Sequence, residues 1–217
     1  MPKKKAKMRW FRFARFLCRI FCKLFFRMHI YGKENVPDEG AFVLVSNHQS
    51  YLDPVFCGIY LKRPLYFLAR STLWKNRIFG RLISSVNTIP VNLGRTDLSA
   101  MKKVISKLKE GWGVCLFPEG TRTSDGTITP FKPGFGLLCR RGGAAVVPVM
   151  IDGAFECWPR HKKIFSSGPI ELYYGRAITA EQVKNMSDRE LADLLTDTLH
   201  RMQTESRIKH GKEPYSY

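Results

Sequence analysis

A chain of 217 residues with 44% hydrophobic composition is long enough for one sizeable core and too short for two, so a single globular domain is expected. Its 36 Lys and Arg residues outnumber its 18 Asp and Glu residues, which gives a net charge of +18. An imbalance of this size indicates an anionic partner, which could be a membrane surface, a nucleic acid or an acidic protein.

The N-terminal segment carries much of this charge. Residues 1–33 contain eleven Lys and Arg residues and no Asp or Glu. From Arg9 to Arg27 the basic residues recur every three or four positions, which places them in a stripe roughly 120° wide on a helix. The rest of the helix surface is apolar and largely aromatic, and its residues are Trp10, Phe11, Phe13, Phe16, Leu17, Ile20, Phe21, Leu24, Phe25, Phe26 and Met28.

Residues 1–30 are therefore predicted to form an amphipathic membrane-anchoring helix. Full insertion is disfavoured because Arg15, Arg19 and Lys23 would lie near the centre of the membrane, where each charge costs at least ~2.5–3.5 kcal/mol. In the interface, anionic phospholipid headgroups would attract the basic stripe while the aromatic side enters the acyl boundary. Residues 31–217 would form the single domain at the cytoplasmic face of the membrane, and the protein would be peripheral or monotopic.

Three other interpretations of this segment agree less well with its residues. An ordinary amphipathic helix could pack on the domain, but the apolar arc is wider than one core contact needs. A secretory signal peptide fits poorly, because charges interrupt the apolar run and no small-residue cleavage site follows. A nucleic-acid-binding segment would carry polar or Gly-rich residues between its cations rather than phenylalanines, so no nucleic-acid partner is expected.

Beyond Gly32 the sequence alternates between strand-like and helix-like segments. Apolar runs predict strands at 41–46, 65–69, 85–91, 113–117, 144–151 and 169–174. Helical patterns occupy 54–61, 71–83, 97–110 and 133–141, and the capping-box spacing of Ser187 and Glu190 opens a further helix. This repeated order predicts an α/β fold in which helices flank a largely parallel central sheet.

His48 and Asp53 follow the first of these strands, in the stretch VLVSNHQSYLD. Ligands bind such sheets where loops leave the carboxyl ends of strands. Because Pro54 disfavours helical geometry at Asp53, the loop can fold this carboxylate back onto an imidazole nitrogen and fix its tautomer. The chain has no GxSxG elbow, so the group that His48 deprotonates is expected to be a substrate hydroxyl. One His and one Asp without a third ligand make a poor metal site.

A second polar group ends another apolar strand, in the stretch LFPEGTRT. Pro118 and Gly120 predict an irregular turn that carries the opposite charges of Glu119 and Arg122. Arg suits phosphate because its planar fork donates bidentate hydrogen bonds, although Glu119 and Arg122 could instead pair with each other and fasten the loop. Lys132, just before a predicted helix, offers another cation beside backbone amides.

Together these motifs resemble those of the glycerolipid acyltransferases, the 1-acylglycerol-3-phosphate acyltransferase (PlsC-like) group. NHQSYLD resembles that family's motif of a histidine, four residues and an aspartate, and FPEGTRT resembles its acceptor-binding motif. The segments FKPG and VVPVMIDG follow in the family's order, so the resemblance covers roughly residues 30–175. It differs at the family's second motif, where Leu93 occupies the position of the usual arginine and Arg95 would substitute from two residues on.

The resemblance implies an enzyme of phospholipid biosynthesis that moves a fatty acyl chain from acyl-CoA or acyl carrier protein to lysophosphatidic acid and makes phosphatidic acid. His48 would be the general base, oriented by Asp53, and neither a cofactor nor a metal is implied. Glycerol 3-phosphate or another lysophospholipid remains an alternative acceptor, and a non-catalytic basic membrane-binding protein remains an alternative of another class. The residues predicted to bind the acceptor are Glu119, Gly120, Thr121, Arg122, Arg95 and Lys132.

Overall fold

A computed structural model describes residues 2–92 and 97–217 of the chain, with side chains from residue 9 onward. In this part of the chain the strands are β1 (Phe26–Tyr31), β2 (Phe42–Ser46), β3 (Leu65–Arg70), β4 (Thr88–Val91), β5 (Gly113–Leu116), β6 (Ala145–Asp152) and β7 (Gly168–Tyr174). The helices are α1 (Pro2–Phe25), α2 (Asp53–Ile59), α3 (Arg77–Ser85), α4 (Leu98–Lys109), α5 (Phe135–Gly142), α6 (Ala154–Cys157), α7 (Ala180–Lys184) and α8 (Asp188–Lys209).

The strands form one sheet in the order β1–β7–β6–β2–β5–β3–β4. Neighbouring strands are parallel except β6 and β7, which confirms the predicted α/β fold. The central strand β2 is buried at every position because helices cover both faces of the sheet. Val43 and Val45 face a core with α4, α5, α7 and α8, whereas Phe42 and Leu44 face a core with α1, α2 and α6.

Strand β1 corrects the predicted extent of the N-terminal helix. The helix ends at Phe25, and residues 26–31 pair in parallel with β7 at the edge of the sheet. Phe26, Met28 and Ile30 turn toward the core, so these residues have the alternation of a strand. The sequence pattern does not reveal this strand, because Arg27 continues the helical spacing of the basic residues. The predicted strand 85–91 is also too long, since Ser85 ends α3 and β4 begins at Thr88.

Helix α1 packs on the domain with only part of its surface. Cys22 is fully buried, and Arg15 and Arg19 donate hydrogen bonds of 2.8 and 2.6 Å to the carbonyls of Leu61 and Ile59. These carbonyls lie at the end of α2, where a helix leaves acceptors free and attracts cations. Two residues of the predicted headgroup-facing stripe therefore face protein instead. Within the described residues, no helix has the length and apolar character needed to cross a membrane.

Candidate active site

A short turn between β2 and α2 brings His48 and Asp53 together. Asp53 is fully buried, and its Oδ2 lies 2.7 Å from His48 Nδ1. The same oxygen accepts hydrogen bonds from the backbone N–H groups of Gln49 and Ser50, at 2.6 and 2.7 Å. Asp53 is the first residue of α2 rather than a non-helical residue, and Pro54 follows it in the first turn, where its missing N–H costs nothing. Because Nδ1 faces the carboxylate, Nε2 is the nitrogen left to accept a substrate proton.

Two buried amides hold the backbone on either side of His48. The Asn47 side chain exchanges two hydrogen bonds of 2.8 Å with the backbone of Ile151 in β6. The Gln49 side chain accepts from the N–H groups of Ala154 and Phe155 and donates to a loop carbonyl. The motif is thereby anchored to the neighbouring strand and to α6. The only sequence signal for these clamps was that polar residues flank His48 in the predicted loop.

The imidazole of His48 stacks on Phe117, with ring centroids 4.2 Å apart and an angle of 23° between the planes. Phe117 directly follows β5, and β5 pairs with β2, so the carboxyl ends of the two strands bring the rings together. The His48 side chain remains 21% exposed, which leaves it accessible. Sequence reasoning missed Phe117, although it immediately precedes the Pro118 turn.

Glu119 joins the two motifs. Its Oε1 accepts a 2.6 Å hydrogen bond from the backbone N–H of His48, and its Oε2 accepts from the N–H and the hydroxyl of Thr129. Burial raises the pKa of Glu119, while the hydrogen bonds from Thr129 and His48 lower it. Its carboxylate therefore holds two loops together by bonds other than an ion pair with Arg122. Direct contact of Glu119 with an acceptor stays a prediction.

Arg122 is held mainly by an aromatic ring. Its guanidinium carbon lies 3.5 Å from the centroid of the Tyr51 ring, in a cation–π contact. Its Nη1 is buried and has no hydrogen-bond partner among the described residues. Since buried donors are normally satisfied, this atom is available to donate to a bound molecule, and phosphate binding by Arg122 stays a prediction. The next residue, Thr123, donates its N–H to the His48 carbonyl at 2.8 Å, so the loop of Arg122 is tied to the turn of His48. Sequence reasoning missed Tyr51.

Gly120, Thr121 and Lys132, three of the other residues predicted to bind the acceptor, are exposed on the same loop. Gly120 has a φ of +77°, and a Cβ atom there would be 2.9 Å from Lys132 Nζ. Glycine thus permits the turn and lets the ammonium group approach the backbone. Thr121 is exposed beside it. Arg95 lies outside the described residues, so its predicted role stays a prediction.

Three of the five buried cysteines are poor candidates for an alternative nucleophile. Burial raises the pKa of Cys22 and of Cys139 to about 12, and that of Cys157 to about 11. These thiols are protonated at neutral pH, whereas the thiolate is the nucleophilic form. His48 lies beside Asp53 and is partly exposed, and its role as a general base for a substrate hydroxyl stays a prediction.

A family model described as Acyltransferase matches residues 27–152. The 1-acyl-sn-glycerol-3-phosphate acyltransferase of Bacillus subtilis is 28% identical over 79% of this chain and 83% of its own length. That of Pseudomonas aeruginosa is 30% identical over 79% of this chain and 66% of its own. This chain spans only 43% of the longer chloroplastic LPAT1 of Arabidopsis thaliana, which is 30% identical over 68% of this chain.

The fold also matches a solved structure. The crystal structure of the 1-acyl-sn-glycerophosphate (LPA) acyltransferase PlsC from Thermotoga maritima is 26% identical, with a TM-score of 0.78. The match covers 92% of this chain and 81% of that chain. The segment that the family model matches contains His48, Asp53, Glu119 and Arg122.

Proposed function

This chain belongs to the acyltransferase family, and we propose that it transfers a fatty acyl chain from an acyl thioester to the free hydroxyl of 1-acyl-sn-glycerol 3-phosphate. The observation that carries the proposal is the pairing of two features in one site. His48 is oriented by the buried Asp53, and the neighbouring loop presents Arg122 with a buried Nη1 that has no hydrogen-bond partner among the residues the structure describes. A base and an unsatisfied cation suit an acceptor that has both a hydroxyl and a phosphate.

In the proposed reaction, His48 Nε2 takes the proton from the acceptor hydroxyl as its oxygen attacks the thioester carbonyl. The carbon–sulfur bond breaks as the ester bond forms, and the imidazolium gives its proton to the departing thiolate. Asp53 stabilises the imidazolium through Nδ1. General-base catalysis of this kind contributes roughly 10²–10⁴-fold. The transfer is direct and forms no acyl-enzyme.

Arg122 would bind the acceptor phosphate through Nη1, and Lys132 would add a second positive charge beside Gly120. Because the Thr123 N–H bonds the His48 carbonyl, a phosphate held by this loop is positioned relative to the base. Orientation of this sort can supply part of the ~7–11 kcal/mol that positioning offers a bimolecular reaction.

An acceptor panel with purified protein in vesicles tests this proposal. Acyl-CoA and acyl carrier protein thioesters serve as separate donors, and lysophosphatidic acid, glycerol 3-phosphate and lysophosphatidylcholine serve as acceptors. Phosphatidic acid should form fastest from lysophosphatidic acid. Faster acylation of glycerol 3-phosphate would replace the proposed acceptor, and the absence of product with every pair, from folded protein, would favour the non-catalytic alternative.

We also propose that the protein binds an anionic membrane surface through an apolar face formed by α1 and α3. On α1 the side opposite the domain is exposed, and its large apolar residues are Trp10, Phe13, Phe16, Leu17, Ile20, Leu24 and Phe25. Helix α3 adds Ile78, Phe79 and Leu82. Trp10 Nε1 donates to Ser85 Oγ at 2.8 Å, so the two helices adjoin. Soluble proteins seldom expose so many large apolar side chains together.

The positive charges around this apolar face favour anionic lipids. Arg9, Arg12 and Lys23 are exposed on α1, and Arg77 and Arg81 are exposed on α3. The sequence has no Asp or Glu between Asp53 and Asp97. Each cation near an anionic bilayer contributes on the order of 1 kcal/mol, while the aromatic residues enter the acyl boundary.

Vesicle co-sedimentation tests the membrane face with surface substitutions. Removal of residues 1–30 is a poor test, because it deletes most of β1. Instead, Phe13, Phe16 and Leu17 are changed to Ser in one variant, and Ile78, Phe79 and Leu82 in another. Leu98 and Ile208, exposed on α4 and α8, are changed to Ser as the control.

Both face variants should bind phosphatidylglycerol vesicles less than the parent, while the control binds as the parent does. Binding should also weaken with added salt and on phosphatidylcholine vesicles. Equal sedimentation of the parent and both face variants would contradict the proposed surface. Loss confined to the α1 variant would restrict the surface to that helix.

A further inference from the structure

A second cluster of titratable side chains lies at the edge of the sheet formed by β1 and β7, separate from the residues described above. His29 in β1 and Glu171 in β7 are directly paired across the two strands, and His210 follows the end of α8. The donor atoms of these three residues all lie within 4.8 Å of one another. His29 Nδ1 is 2.7 Å from Glu171 Oε1, and His210 Nε2 is 3.5 Å from Oε2.

The orientation of His210 distinguishes this cluster from an ordinary hydrogen-bonded group. Its Nδ1 lies 2.8 Å from the Ser206 carbonyl oxygen. A carbonyl can only accept, so Nδ1 carries the proton, and in the neutral ring Nε2 directs a lone pair toward Glu171. A backbone carbonyl on the far nitrogen is one of the arrangements that orient metal-binding histidines.

Glu171 is the second independent observation. Its side chain is 3% exposed, and its Oε2 has no hydrogen-bond partner among the residues with described side chains. When the His210 ring is neutral, Oε2 faces an imidazole lone pair and lacks the compensation that buried charge requires. A cation between Glu171 Oε2 and His210 Nε2 would supply the compensating positive charge.

We propose that His29, Glu171 and His210 form a site for a divalent transition-metal ion, of which zinc fits best. Two imidazoles and one carboxylate form a common three-ligand set for zinc, with a fourth position for water. Tetrahedral ligands with bond lengths of about 2.0–2.2 Å lie roughly 3.4 Å apart, so His29 Nδ1 and Glu171 Oε1 would separate slightly from their present 2.7 Å to admit the ion. The His29 ring, which is 49% exposed, is free to make this movement, and the metal would take the place of the proton shared with Glu171.

Such an ion would join the edge strand to the rest of the fold. Strand β1 follows α1 without an intervening residue, and its only neighbour among the described strands is β7. The site would connect β1, β7 and the residue after α8, so its expected role is to stabilise the strand that carries the proposed membrane helix. It contains none of the residues proposed for acyl transfer.

Zinc titration of the full chain after dialysis against a chelator tests the proposal. Isothermal calorimetry should show one saturable site per chain, and zinc should raise the Tm of the parent protein because a ligand of the folded state stabilises it. His29→Ala and His210→Ala should each weaken the affinity at least about tenfold, which is the loss that even outer-shell partners cause, and should abolish the Tm shift. His161→Ala, at an exposed histidine outside the cluster, should behave as the parent.

Substitution with cobalt gives a readout that does not depend on stability. The visible absorption of tetrahedral Co²⁺ should appear in the parent and in His161→Ala, and should be lost in His29→Ala. Circular dichroism of each metal-free variant checks that it is folded. The proposal is overturned if the parent shows no stoichiometric zinc binding, or if the two ligand variants bind zinc as tightly as the parent, since the free cysteines would then be the binding groups.

Discussion

His48 and Arg122 lie on adjacent loops of the candidate site. They differ in how many of their polar groups already have a hydrogen-bond partner within the protein. His48 is fixed by Asp53 at Nδ1, by Glu119 at its backbone N–H and by Thr123 at its carbonyl. Arg122 rests on the Tyr51 ring and keeps a buried Nη1 with no partner in the described part of the chain. The contrast separates a residue that must hold one geometry from a residue whose contacts a ligand completes.

This difference follows from the roles proposed for the two residues. Proton transfer needs the base within hydrogen-bond reach of the reacting hydroxyl. The contacts that fix His48 in this position therefore stabilise the transition state. Phosphate is present in both substrate and transition state, so a guanidinium that binds it contributes to both. The two residues should therefore leave different kinetic effects when they are replaced.

The largest effect is expected for His48→Gln. Loss of the general base should lower kcat and kcat/KM together by roughly 10²–10⁴-fold, while the KM for lysophosphatidic acid stays near the parent value. Steady-state kinetics over a range of acceptor concentrations measures both constants. His161→Gln, at an exposed site, is the matched control. Near-parent turnover by a folded His48→Gln enzyme would end the general-base proposal.

Arg122→Ala should have the next largest effect, and chiefly on the acceptor KM. A hydrogen bond to a charged group contributes about 1.5–3 kcal/mol, so KM should rise about 10- to 100-fold. Arg122→Lys should restore little, because a point charge replaces the planar fork. Arg160→Ala, at an exposed arginine, is the control. An unchanged acceptor KM in Arg122→Ala would exclude a phosphate contact at this residue.

Glu119→Gln tests whether the two loops depend on one buried carboxylate. The amide can still accept from the His48 N–H, but its NH₂ group would face the Thr129 N–H, which then loses its acceptor. An unsatisfied buried donor costs about 1–3 kcal/mol, and urea denaturation should show a decrease of that size in the free energy of unfolding. Glu39→Gln, at an exposed residue, should leave stability unchanged. Parent-like stability of Glu119→Gln would show that this carboxylate does not hold the loops.

Much of the fold could be predicted because strands that are buried on both faces of the sheet have a clear apolar sequence pattern. The residues of β2 and β6 form continuous apolar runs between turn residues, and helical patterns separate the strands. Strand β1 could not be predicted in the same way. Its sequence continues the aromatic and basic spacing of α1, and only pairing with β7 selects the extended conformation, which no local pattern reports.

In the candidate site, too, local contacts could be predicted from the sequence and long-range contacts could not. The interval between His48 and Asp53 is local, so the sequence predicted that the carboxylate could reach the imidazole, and the structure places the two atoms 2.7 Å apart. Contacts between Glu119 and His48, or between Arg122 and Tyr51, join residues about 70 positions apart. They depend on the adjacency of β2 and β5, which propensity and spacing do not specify.

Tyr51 should produce the smallest effect and the sharpest test of how Arg122 is held. A cation–π contact contributes about 0.5–2 kcal/mol, so Tyr51→Ala should raise the acceptor KM about 2- to 30-fold with kcat less affected. Tyr51→Phe keeps the ring and removes the hydroxyl, so it should retain the parent KM if the ring face is what orients the guanidinium. In an Arg122→Ala background, Tyr51→Ala should add little, because the cation that the ring supports is already absent. Additive effects of the two substitutions would show that Tyr51 contacts the substrate independently, and equal losses in Tyr51→Phe and Tyr51→Ala would assign the role to the hydroxyl instead of the ring.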